Sequence, residues 1–124
     1  MIAKRKTATK SQQAYQDAAR ALGCVVCRFR GHEQAGHTEI HHRNLDDKHG
    51  QKQLGQDAVV SLCSWHHRGI PLWGWGDEEM RDAFGPSFTL HARDFRVWTA
   101  DVLPDMGRGT EAWQRYQDSI LEGE

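Results

Sequence analysis

Apolar positions along the chain recur at helical spacing in several stretches and at strand spacing in two. Ala14, Ala18 and Leu22 share one face of a helix expected over about 12–22, with Tyr15 and Ala19 beside them and Ser11 as its N-cap. Gly23 ends it, directly before the tight knuckle Cys24-Val25-Val26-Cys27. Residues 28–37 are polar and glycine-marked and read as loop. Thr38-Glu39-Ile40-His41-His42 reads as a short strand, and Ala58-Val59-Val60-Ser61-Leu62-Cys63 as an apolar one. Between them residues 43–56 form a long polar excursion. Ser64, or the turn at Cys63, opens a short helix bearing Trp65, His66 and His67. Further on, Asp77 is placed to cap a helix over about 78–84 that Gly85-Pro86 stops. Residues 88–103 read as mostly helical, offering Phe88, Phe95 and Trp98 to a core. A last helix from about Thr110 to Leu121 aligns Trp113, Tyr116 or Gln117, and Ile120. There is no internal repeat. The expected fold is α+β and helix-rich, with a two-strand hairpin at its centre and helices flanking it on the N- and C-terminal sides.

Composition narrows this. A chain of 124 residues allows one domain over residues 11–124 behind a flexible basic arm at 1–10. Leu, Ile, Val and Phe together number only 22, a thin supply for a packed core. Disorder would pair that with a high net charge, but 16 Lys and Arg stand against 17 Asp and Glu. No run of about 18 apolar residues exists, so no membrane partner is expected. No apolar stretch follows the basic N-terminus, so no secretory signal is expected either. The expectation is a soluble, intracellular chain. Charge is split along it: residues 1–30 hold seven bases and the single acid Asp17, and the remainder is acidic. Lys4, Arg5, Lys6 and Lys10 make the arm either a solubilising tail or a set of phosphate contacts.

The chemistry lies in three cysteines and eight histidines. Seven of the histidines fall within residues 32–67, and the cysteines lie in or just before that window. Reduced intracellular cysteines do not form a disulfide framework, and an odd number cannot close one. Cys24-x-x-Cys27 and Cys63-x-x-His66 are matched couples, each able to bite one ion from a tight turn. Together they form a Cys3His set, the donor complement of a closed structural Zn2+ site. A small core with few aliphatics has need of such a staple.

That assignment leaves His67 over. Neighbouring side chains on a helix diverge by about 100°, so His66 and His67 do not serve the same ion. On a strand, His41 and His42 face opposite sides, which suits two different tasks. A second site is the natural use for these residues.

The order is a CxxC knuckle, a strand ending in His-His, a loop, a strand ending in Cys, and a helix carrying His-His. This resembles the HNH, or ββα-metal, endonuclease motif with a structural zinc. More closely, Gly23-Cys24-Val25-Val26-Cys27, Glu39-Ile40-His41-His42, Leu62-Cys63-Ser64-Trp65-His66-His67-Arg68-Gly69 and Gly85-Pro86-Ser87 look like the phage recombination-enhancement, RecA-dependent nuclease family. The resemblance spans about residues 12–100 and implies a zinc-stapled HNH core and metal-dependent hydrolysis of DNA phosphodiesters. It assigns His42 as general base, a role that an imidazole with a pKa near 6.5 suits. It assigns His41 and His67 to one catalytic Mg2+ or Mn2+, with 5′-phosphate and 3′-hydroxyl products. It also implies a RecA filament as partner and the cytoplasm of a bacterial host, with a phage or prophage origin. It says nothing of oligomeric state.

One departure stands out. The middle Asn of the HNH motif usually falls five residues before the second-strand Cys, and here Ala58 occupies that place. Asp57 and Asn44 are the available substitutes, and Asn44 reads equally as a turn residue. Lys48, Lys52 and Arg68 flank the site as DNA contacts or as solvated surface. His32, His37 and His49 read as loop or phosphate-contact residues. Trp73 and Trp75 read as core or interface, with stacking on unpaired bases as the alternative. A zinc deaminase would use His37-Thr38-Glu39, but it needs a Pro-Cys-x-x-Cys that is missing, and it leaves both His-His pairs unexplained. The remaining alternative is a non-catalytic, zinc-stabilised module that binds DNA or a recombinase.

Overall fold

The computed structural model describes residues 7–44, 53–101, 103 and 109–123. Its first helix, α1 (Lys10–Leu22), starts two residues earlier than the expected Ser11 cap allows. Thr9 is the N-cap because Thr9-x-x-Gln12 closes a capping box: Gln12 N donates to Thr9 Oγ1 at 3.2 Å and Thr9 N donates to Gln12 Oε1 at 2.9 Å. Lys10 is therefore helical. A second short helix, α2 (Val25–Arg30), replaces the first part of the expected 28–37 loop. Cys24 is its N-cap, and Gly31 closes it in the left-handed conformation at φ 64°, which glycine adopts without a Cβ penalty.

The hairpin falls where its alternation places it. Strand β1 (Thr38–His42) pairs antiparallel with β2 (Val59–Cys63), with Thr38 opposite Cys63 and His42 opposite Val59. An isolated bridge between Asn44 and Gln53 carries the pairing beyond the strands. Helix α3 (Ser64–Arg68) follows β2 without a loop, with Cys63 as N-cap and Gly69 at φ 71° as terminator. Helix α4 (Asp77–Phe84) is capped at Gly76, whose N–H donates to Glu79 Oε1. Asp77 thus lies inside the first turn, where a negative charge suits the helix dipole. Helix α5 (Ala92–Asp101) is shorter than the helix expected over 88–103. Phe88 N and Thr89 N instead donate to the carbonyls of His66 and His67, at 2.7 and 3.1 Å, and that ties the segment to α3. Helix α6 is Thr110–Gly123. Among the described residues no helix is long and apolar enough to cross a membrane.

Aromatic side chains make up for the scarce aliphatics. Trp65, Phe95 and Trp113 are fully buried, with Leu62 and Met80 among them. Phe95 and Phe88 meet Trp113 edge to face, at 5.0 and 5.5 Å between ring centroids. Gly85, at φ 86°, lies against the Trp98 ring, where a Cβ would meet ring carbon at 2.6 Å.

A two-strand sheet leaves backbone groups on both outer edges without ladder partners. On β2 a side chain fills that role. Gln117, fully buried on α6, accepts from Ser61 N at 2.8 Å and donates to Val59 O at 3.0 Å, and its amide also reaches Tyr15 Oη. A helix-borne carboxamide thus stands in for a third strand. Replacing it with the similarly shaped Gln117→Met should leave a buried N–H and C=O unsatisfied. The expected loss is about 2–4 kcal/mol of unfolding free energy, read from the urea midpoint at unchanged slope.

Candidate metal centre and histidine cavity

The two ligand couples share one local design. Each begins with the N-cap cysteine of a helix of five or six residues and ends at the third helical position, Cys27 on α2 and His66 on α3. N-cap and third-position side chains lie on the same side of the first turn, so each couple converges. The helices then converge on each other: the donor atoms of Cys24, Cys27, Cys63 and His66 all lie within 4.8 Å of one another, and all four residues are buried. Cys27 Sγ and Cys63 Sγ are 3.9 Å apart, and His66 Nδ1 lies 3.6, 3.4 and 3.3 Å from the sulfurs of Cys24, Cys27 and Cys63. A tetrahedral zinc with its usual bond lengths sets such pairs about 3.5–3.8 Å apart.

The second nitrogen of His66 decides which one faces the cluster. His66 Nε2 donates to Phe84 O at 2.7 Å, so Nδ1 presents a lone pair to the sulfurs. Burial pushes the Cys24 thiol up, while hydrogen bonds from Cys24 and Cys27 hold Cys63 well below the usual thiol range. Three thiols so close cannot all ionise on their own, and a divalent cation replaces their protons. This donor set can hold a metal such as zinc.

The neighbouring histidine, His67, points elsewhere. Its Nε2 lies 3.3 Å from His41 Nδ1, across the β1–α3 junction. Both rings wall a cavity of about 280 Å³, together with Asn44, Phe88, Thr89 and Arg96. Phe88 meets the His41 ring edge on at 5.0 Å. Behind His67 stands Glu39, two residues before His41 on the same strand face, with Oε1 2.9 Å from His67 Nδ1. Arg68 donates to both oxygens of Glu39 and, with His67 as the lesser influence, holds its carboxyl down to about 2. An ionised carboxylate only accepts hydrogen bonds, so His67 Nδ1 donates to Glu39 and Nε2 is the nitrogen turned toward His41. His42, the next residue on β1, belongs to the opposite face by strand alternation and does not wall this cavity.

Residues 8–101 match the family model for recombination enhancement, RecA-dependent nuclease. The chain belongs to that family. No curated protein and no solved structure matches it. The family's description is that of a nuclease in recombination, and both clusters fall inside the matched span.

Other candidates are distributed unevenly. Arg68, read as a DNA contact, spends its guanidinium on Glu39. Lys4, Arg5, Lys6, Lys48, His49 and Lys52 lie outside the described residues. His37 reaches Glu39 Oε2 at 2.9 Å, and the ring of His32 packs edge on against Phe84. Trp73 and Trp75 are not core residues: Trp73 is 62% exposed and stacks edge to face with Trp75. Sequence reasoning missed Glu39 as a partner of His67, although its two-residue offset from His41 was a usable signal. It missed Arg96 and Phe88 as cavity residues, because nothing local marks a residue that reaches the site from a later segment.

If the Cys3His cluster holds zinc, purified protein should carry one equivalent per chain. Cys63→Ala should lose that metal and, with it, the cooperative thermal transition, since structural zinc contributes folding free energy directly. Elemental analysis paired with calorimetry reads both effects.

Proposed function

We propose that the protein is a metal-dependent DNA endonuclease of the HNH type, with Cys24, Cys27, Cys63 and His66 holding a structural zinc. His41 and His67 hold a second, catalytic divalent cation, Mg2+ or Mn2+. The observation that carries this reading is the approach of His41 Nδ1 and His67 Nε2 to 3.3 Å at a cavity, beside a separate and closed donor set. Two adjacent ligands of one ion with bonds near 2.1 Å are about 3.0–3.5 Å apart. Two imidazoles also leave coordination positions open, which a filled Cys3His set does not.

The division of labour follows from the side chains. Glu39 fixes the tautomer and ring orientation of His67, and Phe88 packs the ring of His41. His42 accepts the proton of the attacking water; this assignment rests on the His-His pair of the motif. When bound, the cation supplies positive charge against the phosphate oxygens and the departing 3′-oxygen. The products are a 5′-phosphate and a 3′-hydroxyl. DNA is the substrate, and a RecA filament is the partner that the family's description points to. Asn44, which walls the cavity, is a better candidate than Asp57 for the role of the missing middle Asn.

A cleavage assay on plasmid and oligonucleotide DNA, with and without RecA filaments, tests the assignments through their different metal responses. His42→Ala should keep its zinc and fold and lose about 10²–10⁴ in rate at every divalent concentration, the usual worth of a general base. His41→Ala and His67→Ala should lose activity through weaker cation binding, so that high manganese restores part of it. A His42→Ala protein that cuts as fast as wild type would overturn the assignment of His42 as base, and a wild type that binds DNA without cutting it would leave the DNA- or recombinase-binding module as the reading.

Removing residues 1–6 addresses the basic arm. The truncated protein should bind duplex DNA with a shallower salt dependence, by roughly 0.9 in the log–log slope for each phosphate that the arm had neutralised. An unchanged slope makes the arm a solubilising tail.

A further inference from the structure

Between α3 and α4 the chain is uncharged from Gly69 to Gly76 and carries two tryptophans that the core does not use. Trp75 N donates to Leu72 O at 2.9 Å, which makes residues 72–75 a tight turn. Both of its central residues lie at positive φ, Trp73 at 57° and Gly74 at 72°. Such a pair of conformations suits glycine, asparagine or aspartate, and a large side chain at the first of them is strained. Trp73 is the only non-glycine residue at positive φ among the described residues, yet its ring is 62% exposed, so burial does not offset the strain. The ring meets Trp75 edge to face at 5.0 Å and leans on Phe84 at 5.8 Å, which holds the two indoles at a set angle. A costly backbone conformation that displays an indole to solvent points to a use outside the fold. The neighbouring charges narrow that use. Helix α4 opens one residue after Trp75 with Asp77, Glu78 and Glu79, and Asp82 follows a turn later. Arg81, the one base of α4, pairs with Asp94, and Arg30 is turned to Phe84 O and the Trp98 ring. Asp77 faces His91 and Glu79 accepts from Gly76 N, whereas Glu78 and Asp82 are exposed and make no ion pair among the described residues. Platforms that stack unpaired bases sit in cationic grooves that follow the phosphates. Here the phosphates beside a stacked base would meet carboxylates. A second copy docking by the same face would set acid against acid.

We propose that Trp73 and Trp75, rimmed by the acidic start of α4, form the surface that docks the recombinase filament through its protein and not through its DNA. This rests on the RecA partner of the reading above. The partner surface that fits brings an apolar side chain to the angle between the two indoles and lysine or arginine side chains to Glu78 and Asp82. Aromatic anchors of this kind supply most of the affinity at a protein interface, while charges at the rim govern approach and register. None of these residues walls the histidine cavity, so filament and scissile DNA are held at separate places on the chain.

The test is co-sedimentation of the full chain with RecA filaments assembled on single-stranded DNA, run beside binding to the same DNA without RecA. Trp73→Asn removes the ring and puts a residue in the turn that tolerates its conformation, so this variant should keep the zinc content and helicity of wild type. Trp73→Asn and Trp75→Ala should each weaken filament binding by about 10–100-fold and leave binding to bare DNA unchanged. The double variant Glu78→Gln/Asp82→Asn should bind filaments with a weaker salt dependence and lose no affinity for bare DNA. With manganese present, Trp73→Asn should need more filament for its half-maximal cleavage rate and reach the wild-type rate at saturation. Filament binding by Trp73→Asn and Trp75→Ala equal to that of wild type overturns the proposal. An equal loss on bare DNA also overturns it and makes the tryptophans a base-stacking platform. If those variants bind filaments fully while wild type cuts and His42→Ala does not, the docking surface is wrong and the nuclease reading stands. If wild type never cuts, yet filament binding still falls on losing either ring, the docking surface holds and the nuclease reading fails.

Discussion

Everything in this fold depends on the meeting of two helix starts. Helices α2 and α3 have six and five residues, well below the length at which a helix is stable by itself in water. Each presents two donor atoms from its first turn, and the four donors meet in a buried cluster that is costly to leave without a cation. The helices are thus held by what they jointly enclose. The rest of the molecule is organised around that meeting: β2 runs straight into α3, and the Phe84–Thr89 segment brackets α3 through five hydrogen bonds to or from Trp65, His66 and His67. The aromatic core then closes over it.

That arrangement gives the Gly85-Pro86-Ser87 element a physical meaning. Phe84 O fixes the tautomer of His66, Gly85 O accepts from Trp65 Nε1 at 2.9 Å, and Phe88 N satisfies the carbonyl of His66. The terminating α3 glycine belongs to the same bracket. A Cβ on Gly69 would meet the Leu90 side chain at 2.4 Å and Ser87 Oγ at 2.9 Å, so the end of α3 and the returning segment need a residue without a side chain there.

Local signals in the sequence were enough for the hairpin, the ligand couples and the separation of His66 from His67. All of them rest on short-range periodicity, and the backbone obeys it at Thr38–His42 and Val59–Cys63. Differences arose where particular hydrogen bonds override a propensity: the Thr9–Gln12 capping box brings Lys10 and Ser11 into α1, and backbone hydrogen bonds from Phe88 and Thr89 to α3 cut α5 short. Residues 25–30 form a helix up to Gly31 where the polar composition after Cys27 reads as loop. The cavity was half legible. His41 and His67 follow from the motif, whereas Arg96 and Phe88 reach it from a segment more than 20 residues beyond His67, and only packing could reveal that. Glu39 lay between: its face was readable from strand alternation, its partner was not.

His66 and His67 are consecutive on one turn, yet one faces a closed donor set and the other an open cavity. If both sites are filled, two cations share a single helical turn while differing greatly in how readily they exchange. A weak or brief chelator exposure would strip the open site and spare the closed one. A strong or prolonged exposure would dissolve the scaffold that orients both. Loss of activity in a chelator therefore identifies the ion that performs the chemistry only when the time course is resolved into a fast, reversible phase and a slow one that accompanies unfolding.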